Sequence, residues 1–358
     1  MSERAAFINQ VTTAVPSQDV HKAFLAWAEQ RLPDERQRSV FRRMAERSGI
    51  NHRWSVLPTT AGGGSPVADG GLYADAPPPT SERMRIYAET APELALAAIA
   101  KLDAGAIART THLVVASCTG FVAPGVDQII ARRLGLANHV ERTLIGFMGC
   151  YAAIAALRTA YHIVRSEPAA RVLVVTVELS TLHLQFTDDM EALLGMLQFG
   201  DGAAAAIVSA DATGLRIDRP FAIAMEDSET LIQWAIGETG FVMQLSGEVP
   251  GRIGSALEKP WIRERILDAV DAGKIDSWAV HAGGRSILDA VQRGFDLPAN
   301  ALDRSREVLA DFGNMSSSTL MFVLAAILRQ SDEGERSGVA LAFGPGLAAE
   351  GFRYERAA

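Results

Sequence analysis

Residues 171–177 read Arg-Val-Leu-Val-Val-Thr-Val, an apolar, β-branched run with almost no polar alternation. A strand that is apolar on both faces must be covered on both, as in a parallel or mixed sheet flanked by helices. The run at 111–117 (THLVVAS) and the shorter ones at 277–280 and 338–343 have the same character. Helical patterns separate these runs, which predicts a layered α/β architecture. The chain has 358 residues. That exceeds the ~250–300 residues at which single cores tend to split, so two halves are expected. The boundary is expected near 211–214, giving halves 1–213 and 214–358 that look like a distant duplication.

The rest of the chain follows this grammar. A first strand is expected over 5–11, and helices over 18–32 and 34–48. In the first of these His21, Phe24, Leu25 and Ala28 share a face. Residues 61–79 are rich in Gly, Pro, Ala and Asp and read as a surface loop. Helices are expected over 79–102 and 124–134, and a glycine turn followed by a strand over 195–208. In the second half a strand is expected over 217–225. Helices are expected over 261–272, from the Gly283-Gly284 pair through Phe295, over 303–310 and over 316–330.

Composition narrows the function. Net charge is −8, so no nucleic-acid partner is expected. Two cysteines, Cys118 and Cys150, make no disulfide framework and suit a reducing cytoplasm. The first ten residues lack the basic start and apolar core of a signal peptide. No apolar run reaches the ~18 residues of a membrane helix.

Residues 144–160 (LIGFMGCYAAIAALRTA) carry the chemistry. They read as a short buried strand, a turn through Gly146 and Gly149, then Cys150 and a helix apolar on nearly every side. A thiol at a helix N-terminus faces unpaired N–H groups and the positive end of the macrodipole. Its pKa is therefore expected to fall below the ~8.5 of a free cysteine. A lone cysteine is more often a small core residue. Here, however, His281 precedes Gly283-Gly284 and Asn314 follows Gly313, so three polar residues recur at glycine-marked element ends, where sites are built. Cysteine, histidine and asparagine supply a nucleophile, a base and an oxyanion donor.

At these residues the sequence resembles the type III polyketide synthases, the chalcone synthase-like enzymes, in their bacterial form. The resemblance rests on GFMGCYAAIAALR, LQFGDGAAAAIV, HAGGRSILDAV, FGNMSSSTLMFVL and AFGPGLAAEGF, and runs from about Phe41 to Phe352. It implies a thiolase-like five-layered αβαβα fold of two similar halves and a homodimer. It implies that Cys150 takes a starter acyl group from an acyl-CoA. His281 and Asn314 would promote decarboxylation of malonyl-CoA, whose carbanion attacks the thioester, and the grown chain would cyclise to a pyrone, resorcinol or phloroglucinol-type product. No metal and no bound cofactor are implied, only coenzyme A thioesters as substrates.

Further positions carry over one at a time. Phe199 matches one aromatic gate of the family, and Met243 stands where a second phenylalanine is common. Arg43 and Arg47 match basic positions of the CoA-binding helix, and arginine suits phosphate by its bidentate geometry. Ser180, His183 and Trp234 match cavity positions that plant enzymes keep small or hydroxylated. Ser316 agrees with the plant pattern. Ala123 stands where a plant methionine reaches the partner's cavity, and Gly344, Pro345 and Gly346 match the cyclisation-pocket loop. Trp234 in the elongation cavity is expected to favour a short chain. Other readings of the same residues are a ketoacyl synthase-like enzyme, a Cys-His-Asn hydrolase and an idle acyl-CoA-binding scaffold. His-Ala-Gly-Gly at the histidine, where an initiating ketoacyl synthase typically has His-Gln-Ala-Asn, speaks against the first.

Overall fold

The computed structural model describes residues 5–58, 64–330 and 336–357. In the first half, β1 (Ala6–Ala14) leads to a two-residue ladder of β2 (Gln18–Asp19) with β3 (Trp54–Ser55). Between them lie α1 (His21–Arg31) and α2 (Glu35–Ser48), the latter capped by Asp34, whose carboxylate accepts the Gln37 N–H at 2.8 Å. Then come α3 (Thr80–Ile99), α4 (Ala104–Ala108), β4 (His112–Ser117), α5 (Val126–Arg133), β5 (Glu141–Gly146), α6 (Ala152–Ser166), β6 (Arg171–Leu179), α7 (Met190–Met196) and β7 (Asp201–Ser209). The second half runs β8 (Leu215–Ala224), a hairpin of β9 (Ile232–Gly237) and β10 (Gly240–Leu245), α8 (Val249–Leu257), α9 (Pro260–Leu267) and β11 (Ser277–Val280). It ends with α10 (Arg285–Gly294), α11 (Asp303–Phe312), α12 (Ser317–Arg329), β12 (Ser337–Gly344) and β13 (Ala348–Arg356).

The apolar run of β6 lies parallel to β4 and antiparallel to β7, β4 lies parallel to β5, and β7 pairs antiparallel with β1. The other half repeats that pattern: β11 is parallel to β12, β12 antiparallel to β13, and β13 antiparallel to β8. The strands β1 and β8, equivalent in the two patterns, pair antiparallel through Ala6–Ile8 and join all nine strands.

Alternation along the strands sorts side chains into three cores. Val114, Val172, Val174 and Ala204 face inward, together with Ala340 and Ala342 of the other half, and pack on α6 and α12. Leu113, Val115, Leu173 and Val175 face outward beneath α1, α3 and α5. Val280, Val339 and Leu341 face outward beneath α8 to α11. Helix, sheet, helix, sheet, helix is the five-layered thiolase-like order. The two central helices read as apolar all round because sheets cover both their sides.

Some elements differ from the sequence reading. The strand before the cysteine is β5, and it is exposed because it is the edge of the sheet, paired only with β4. The helix expected over 261–272 ends at Leu267, where Asp268 turns left-handed (φ 52°). The helix α8 and the strands β9, β10 and β13 were not anticipated. Of the Gly/Pro-rich loop over 61–79, residues 61–63 lie outside the described residues.

Candidate active site

The cysteine sits on a turn that only glycine permits. Gly149 has φ +70°, and a Cβ on it would lie 2.4 Å from Cδ of Pro345. A Cβ on Gly344 would lie 2.6 Å from the Tyr151 ring. The Gly344-Pro345-Gly346 loop and the turn Gly149–Tyr151 therefore seat directly on each other, with α6 beginning at Ala152.

Asn314 is held as tightly. Left-handed residues flank it, Gly313 at φ +68° and Ser316 at φ +48°. Its backbone bridges the Phe199 turn: its N–H donates to the Gln198 carbonyl at 2.7 Å, and its carbonyl accepts the Gly200 N–H at 3.0 Å. The side-chain oxygen accepts the Ser316 N–H at 2.8 Å and the Thr319 hydroxyl at 3.4 Å. That assigns the amide: its nitrogen is left to donate, to the Gly283 carbonyl at 3.2 Å and toward the Cys150 thiol. Asn314 thus brings together the turn of Cys150 and the loop that follows His281.

His281 extends the β11–β12 ladder, its N–H donating to the Leu341 carbonyl at 2.8 Å. It is buried, and neither ring nitrogen has a hydrogen-bond partner among the described residues. Leaving a buried polar group unpaired costs about 1–3 kcal/mol. Burial pulls its pKa down to about 3, so the ring is neutral at physiological pH.

The expected low thiol pKa is not what the structure shows. Burial pushes Cys150 up to about 12, with the nearby Glu178 carboxylate adding to the rise. Hydrogen bonds from Ser316 and Asn314 oppose the shift without cancelling it. Desolvation is the largest influence on the thiol and outweighs the helix terminus. Thiol and imidazole are therefore both neutral at physiological pH. Iodoacetamide alkylation of Cys150 is therefore expected to climb about tenfold per pH unit between about pH 7 and 9, because the reactive thiolate fraction rises below a raised pKa. A plateau near neutral pH would reveal a preformed ion pair instead.

Cys118 plays another part. Its sulfur accepts the Gly149 N–H at 3.0 Å, its own N–H donates to Glu178 at 2.9 Å, and burial raises its pKa well above the ordinary value. It is a prop beneath the turn that carries Cys150. Glu178, absent from the sequence reading, also accepts from Thr119 at 2.9 Å and from the Ser317 hydroxyl, and burial lifts its pKa to about 7.

A largely apolar cavity of about 300 Å³ opens beside Phe199. Met243, Ser180, His183 and Trp234 line it with Phe199. His183 is spent as a wall: one ring nitrogen meets the Thr119 carbonyl at 2.7 Å, the other accepts the Phe241 N–H at 3.0 Å, and the ring stacks on Phe241 at 4.2 Å. Trp234, edge-on to both rings, donates to the Cys118 carbonyl at 2.9 Å. Phe241 escaped sequence reasoning; it sits in the unanticipated hairpin, two residues before Met243. Ser316 lies by the thiol rather than on this cavity, and Ala123 is exposed. Arg43 and Arg47 are exposed on α2, and Arg285 of the other half reaches them by donating to the Arg47 carbonyl at 3.3 Å.

The five-layered fold with a cysteine at the head of its central helix places the chain among the thiolase-like condensing enzymes. Residues 1–212 match the chalcone and stilbene synthases' N-terminal domain and residues 221–355 their C-terminal domain. The chain is 34% identical over 297 residues to the alpha-pyrone synthesis polyketide synthase-like Pks18 of Mycobacterium tuberculosis, covering 79% of this chain and 75% of that protein. It is 36% identical over 292 residues to bisdemethoxycurcumin synthase of Oryza sativa subsp. japonica, covering 75% and 72%. The solved PKS-I of the brown alga Ectocarpus siliculosus superposes with a TM-score of 0.86 at 31% identity, covering 98% of each chain. The C-terminal type III domain of Steely1 from Dictyostelium superposes at 0.87 with 24% identity over 99% and 100%, a likeness of fold. The chain belongs to the chalcone and stilbene synthase family, the type III polyketide synthases. It is a decarboxylating condensing acyltransferase of a family that works on coenzyme A thioesters without a bound cofactor.

Proposed function

We infer that Cys150 carries the starter acyl group and that His281 and Asn314 form the decarboxylation site. The observation that carries this reading is an imidazole with no ring-nitrogen partner among the described residues together with an amide whose nitrogen is oriented to donate toward the Cys150 thiol. Cys150 Sγ attacks the carbonyl of an acyl-CoA while its proton passes to His281, and the departing CoA sulfur takes that proton back. In malonyl-CoA the bond to the carboxylate then breaks and CO₂ leaves. The electron pair moves onto the thioester oxygen, which accepts from an N–H of His281 and from the Asn314 amide. The enolate carbon attacks the acyl group, Cys150 leaves as thiolate, and the chain on CoA is longer by one two-carbon unit. A neutral imidazole suits both steps, since one nitrogen can accept while the other donates.

The finer assignments belong to the same reading. Phe199 and Met243 act as gate, Ser180, His183 and Trp234 shape the chamber, and Ser316 stands beside the thiol. Trp234 and His183 occupy space that a small residue would leave to a growing chain, which favours few extensions. The product class is a pyrone, resorcinol or phloroglucinol-type ring, released beside the Gly344-Pro345-Gly346 loop. The alpha-pyrone named for the mycobacterial relative supports a pyrone among these. The division into halves 1–213 and 214–358 separates the cysteine from its two partners. A homodimer fits the exposed edge strand β5, where Leu144 is 46% exposed and the equally exposed Phe121 lies beside Gly146. An uncovered edge strand is a ready pairing surface. Two free cysteines suit the reducing cytoplasm. Among the described residues no helix is long and apolar enough to cross a membrane.

Incubation with a panel of starter acyl-CoAs and labelled malonyl-CoA, read by product mass, tests this function. Labelled condensation products support it, and acyl-CoA binding without product with any starter would favour the idle scaffold.

Arg43 and Arg47 are assigned to the CoA phosphates. Each charge-assisted hydrogen bond contributes roughly 1.5–3 kcal/mol, so the Arg43→Ala and Arg47→Ala pair is expected to raise the KM for malonyl-CoA by about tenfold or more. Thermal melting should not change, since both side chains are exposed. An unchanged KM would place the CoA entrance elsewhere.

A further inference from the structure

The buried arginine ahead of β3 has no part in the chemistry above, yet it touches both the 196–199 turn and Gly313, the segments that hold the backbone of Asn314. Arg53 is 2% exposed. Its Nη1 donates to two carbonyls, of Met196 at 3.1 Å and of Phe199 at 2.8 Å. It thereby ties the C-terminus of α7 and the turn that follows it, where helix carbonyls lack partners of their own. Its Nε donates to Nδ1 of His21 at 3.0 Å, and its guanidinium lies 4.5 Å from the centre of the Phe24 ring. Its Nη2 has no partner among the described residues. The backbone is pinned as well: its N–H donates to Asp19 at 3.2 Å, and its carbonyl accepts the Val20 N–H at 2.8 Å.

The stem meets the other side of the same structure. A Cβ on Gly313 would lie 2.9 Å from Arg53 Cγ and 2.8 Å from the Gln198 carbonyl oxygen, so Gly313 is pressed between them. Asn314, the next residue, is bridged to Gln198 and Gly200 on either side of Phe199. Arg53 thus holds the 196–199 turn from one side and the backbone before Asn314 from another. A burial so costly for a cation is retained where it fixes geometry, and neutral residues could have filled the same wall.

We propose that Arg53 is a positioning residue for Asn314 and Phe199, setting where the amide meets the developing enolate. The proposal rests on the role inferred for Asn314. Misplacing a catalytic group by about 1 Å can cost about 100-fold in rate. Substrate binding at the exposed arginines of α2 is a separate matter.

The test uses the full chain with Arg53→Met, which keeps the stem against Gly313, and Arg53→Lys, which keeps the charge but not the planar guanidinium that sets Nη1 on both carbonyls and Nε on His21. Acetyl-CoA release from malonyl-CoA is measured per site, with sites counted by acylation of Cys150. The count normalises for any loss of folded protein. Arg53→Met is expected to lower the kcat of decarboxylation roughly 10–100-fold with an unchanged KM, and Arg53→Lys to fall between it and wild type. Combined with Asn314→Ala, Arg53→Met should cause no further loss, because both act through one group. Wild-type kcat per acylatable site in both Arg53 variants, or a full additional loss in the double variant, would overturn the proposal. Asn314→Ala alone at the wild-type rate would instead overturn the reading on which it rests. Should Arg53→Met yield no acylatable protein, the kcat of Arg53→Lys decides.

Discussion

Asn314→Ala is expected to lower the kcat for malonyl-CoA decarboxylation by about 10²–10³, the usual effect of removing one oxyanion donor. The amide matters most when negative charge has moved onto the thioester oxygen, so the loss falls on kcat rather than on KM. The variant should still take an acyl group at Cys150, because that step draws on sulfur and His281. Acetyl-CoA release and intact mass separate the two activities. The substitution also removes the Ser316 and Gly283 contacts of the side chain, so a melting curve is needed beside the rates. Decarboxylation at the wild-type rate would show that Asn314 is a turn residue only.

Cys150→Ala is expected to do the reverse. It abolishes acylation and condensation, yet acetyl-CoA should still be released from malonyl-CoA, since no thiol takes part in losing CO₂. Fold stability should be little changed, because the half-buried thiol makes weak hydrogen bonds and Ala fits the turn. Residual condensation would move the nucleophile elsewhere. Cys118 is a poor candidate, because its sulfur is engaged by Gly149 under the turn.

Much of this was legible in the chain because burial on both faces leaves a mark. The strands β4, β6 and β11 read as apolar runs, and α12 as a long apolar helix. The strand β5 was misread because Leu144 and Ile145 look like core, although Glu141, Arg142 and Thr143 begin an exposed edge. The hairpin β9–β10 was missed because its residues alternate between exposed and covered in two short runs. The strand β13 was hidden by Gly351, needed because a Cβ there would strike the Ala340 carbonyl, and by the charged end Arg353 to Arg356. Cys150, His281 and Asn314 stood out because turns that present side chains need glycine beside them. The thiol's pKa was not legible, since sequence shows a helix start but not the desolvation that outweighs it. Arg53 and Glu178 were invisible for a related reason: a single charge in a loop or at a strand end carries no sign that it will be buried against a distant segment.

The central claim is that one chain grows on Cys150 at the expense of malonyl-CoA. The direct measurement is intact-protein and peptide mass after mixing enzyme with a starter acyl-CoA it accepts, followed by a chase with labelled malonyl-CoA. The expected result is a starter-sized adduct confined to Cys150, which disappears on the chase as labelled, extended product and CO₂ form together. An adduct on another residue, or an adduct on Cys150 that malonyl-CoA leaves in place, would contradict it.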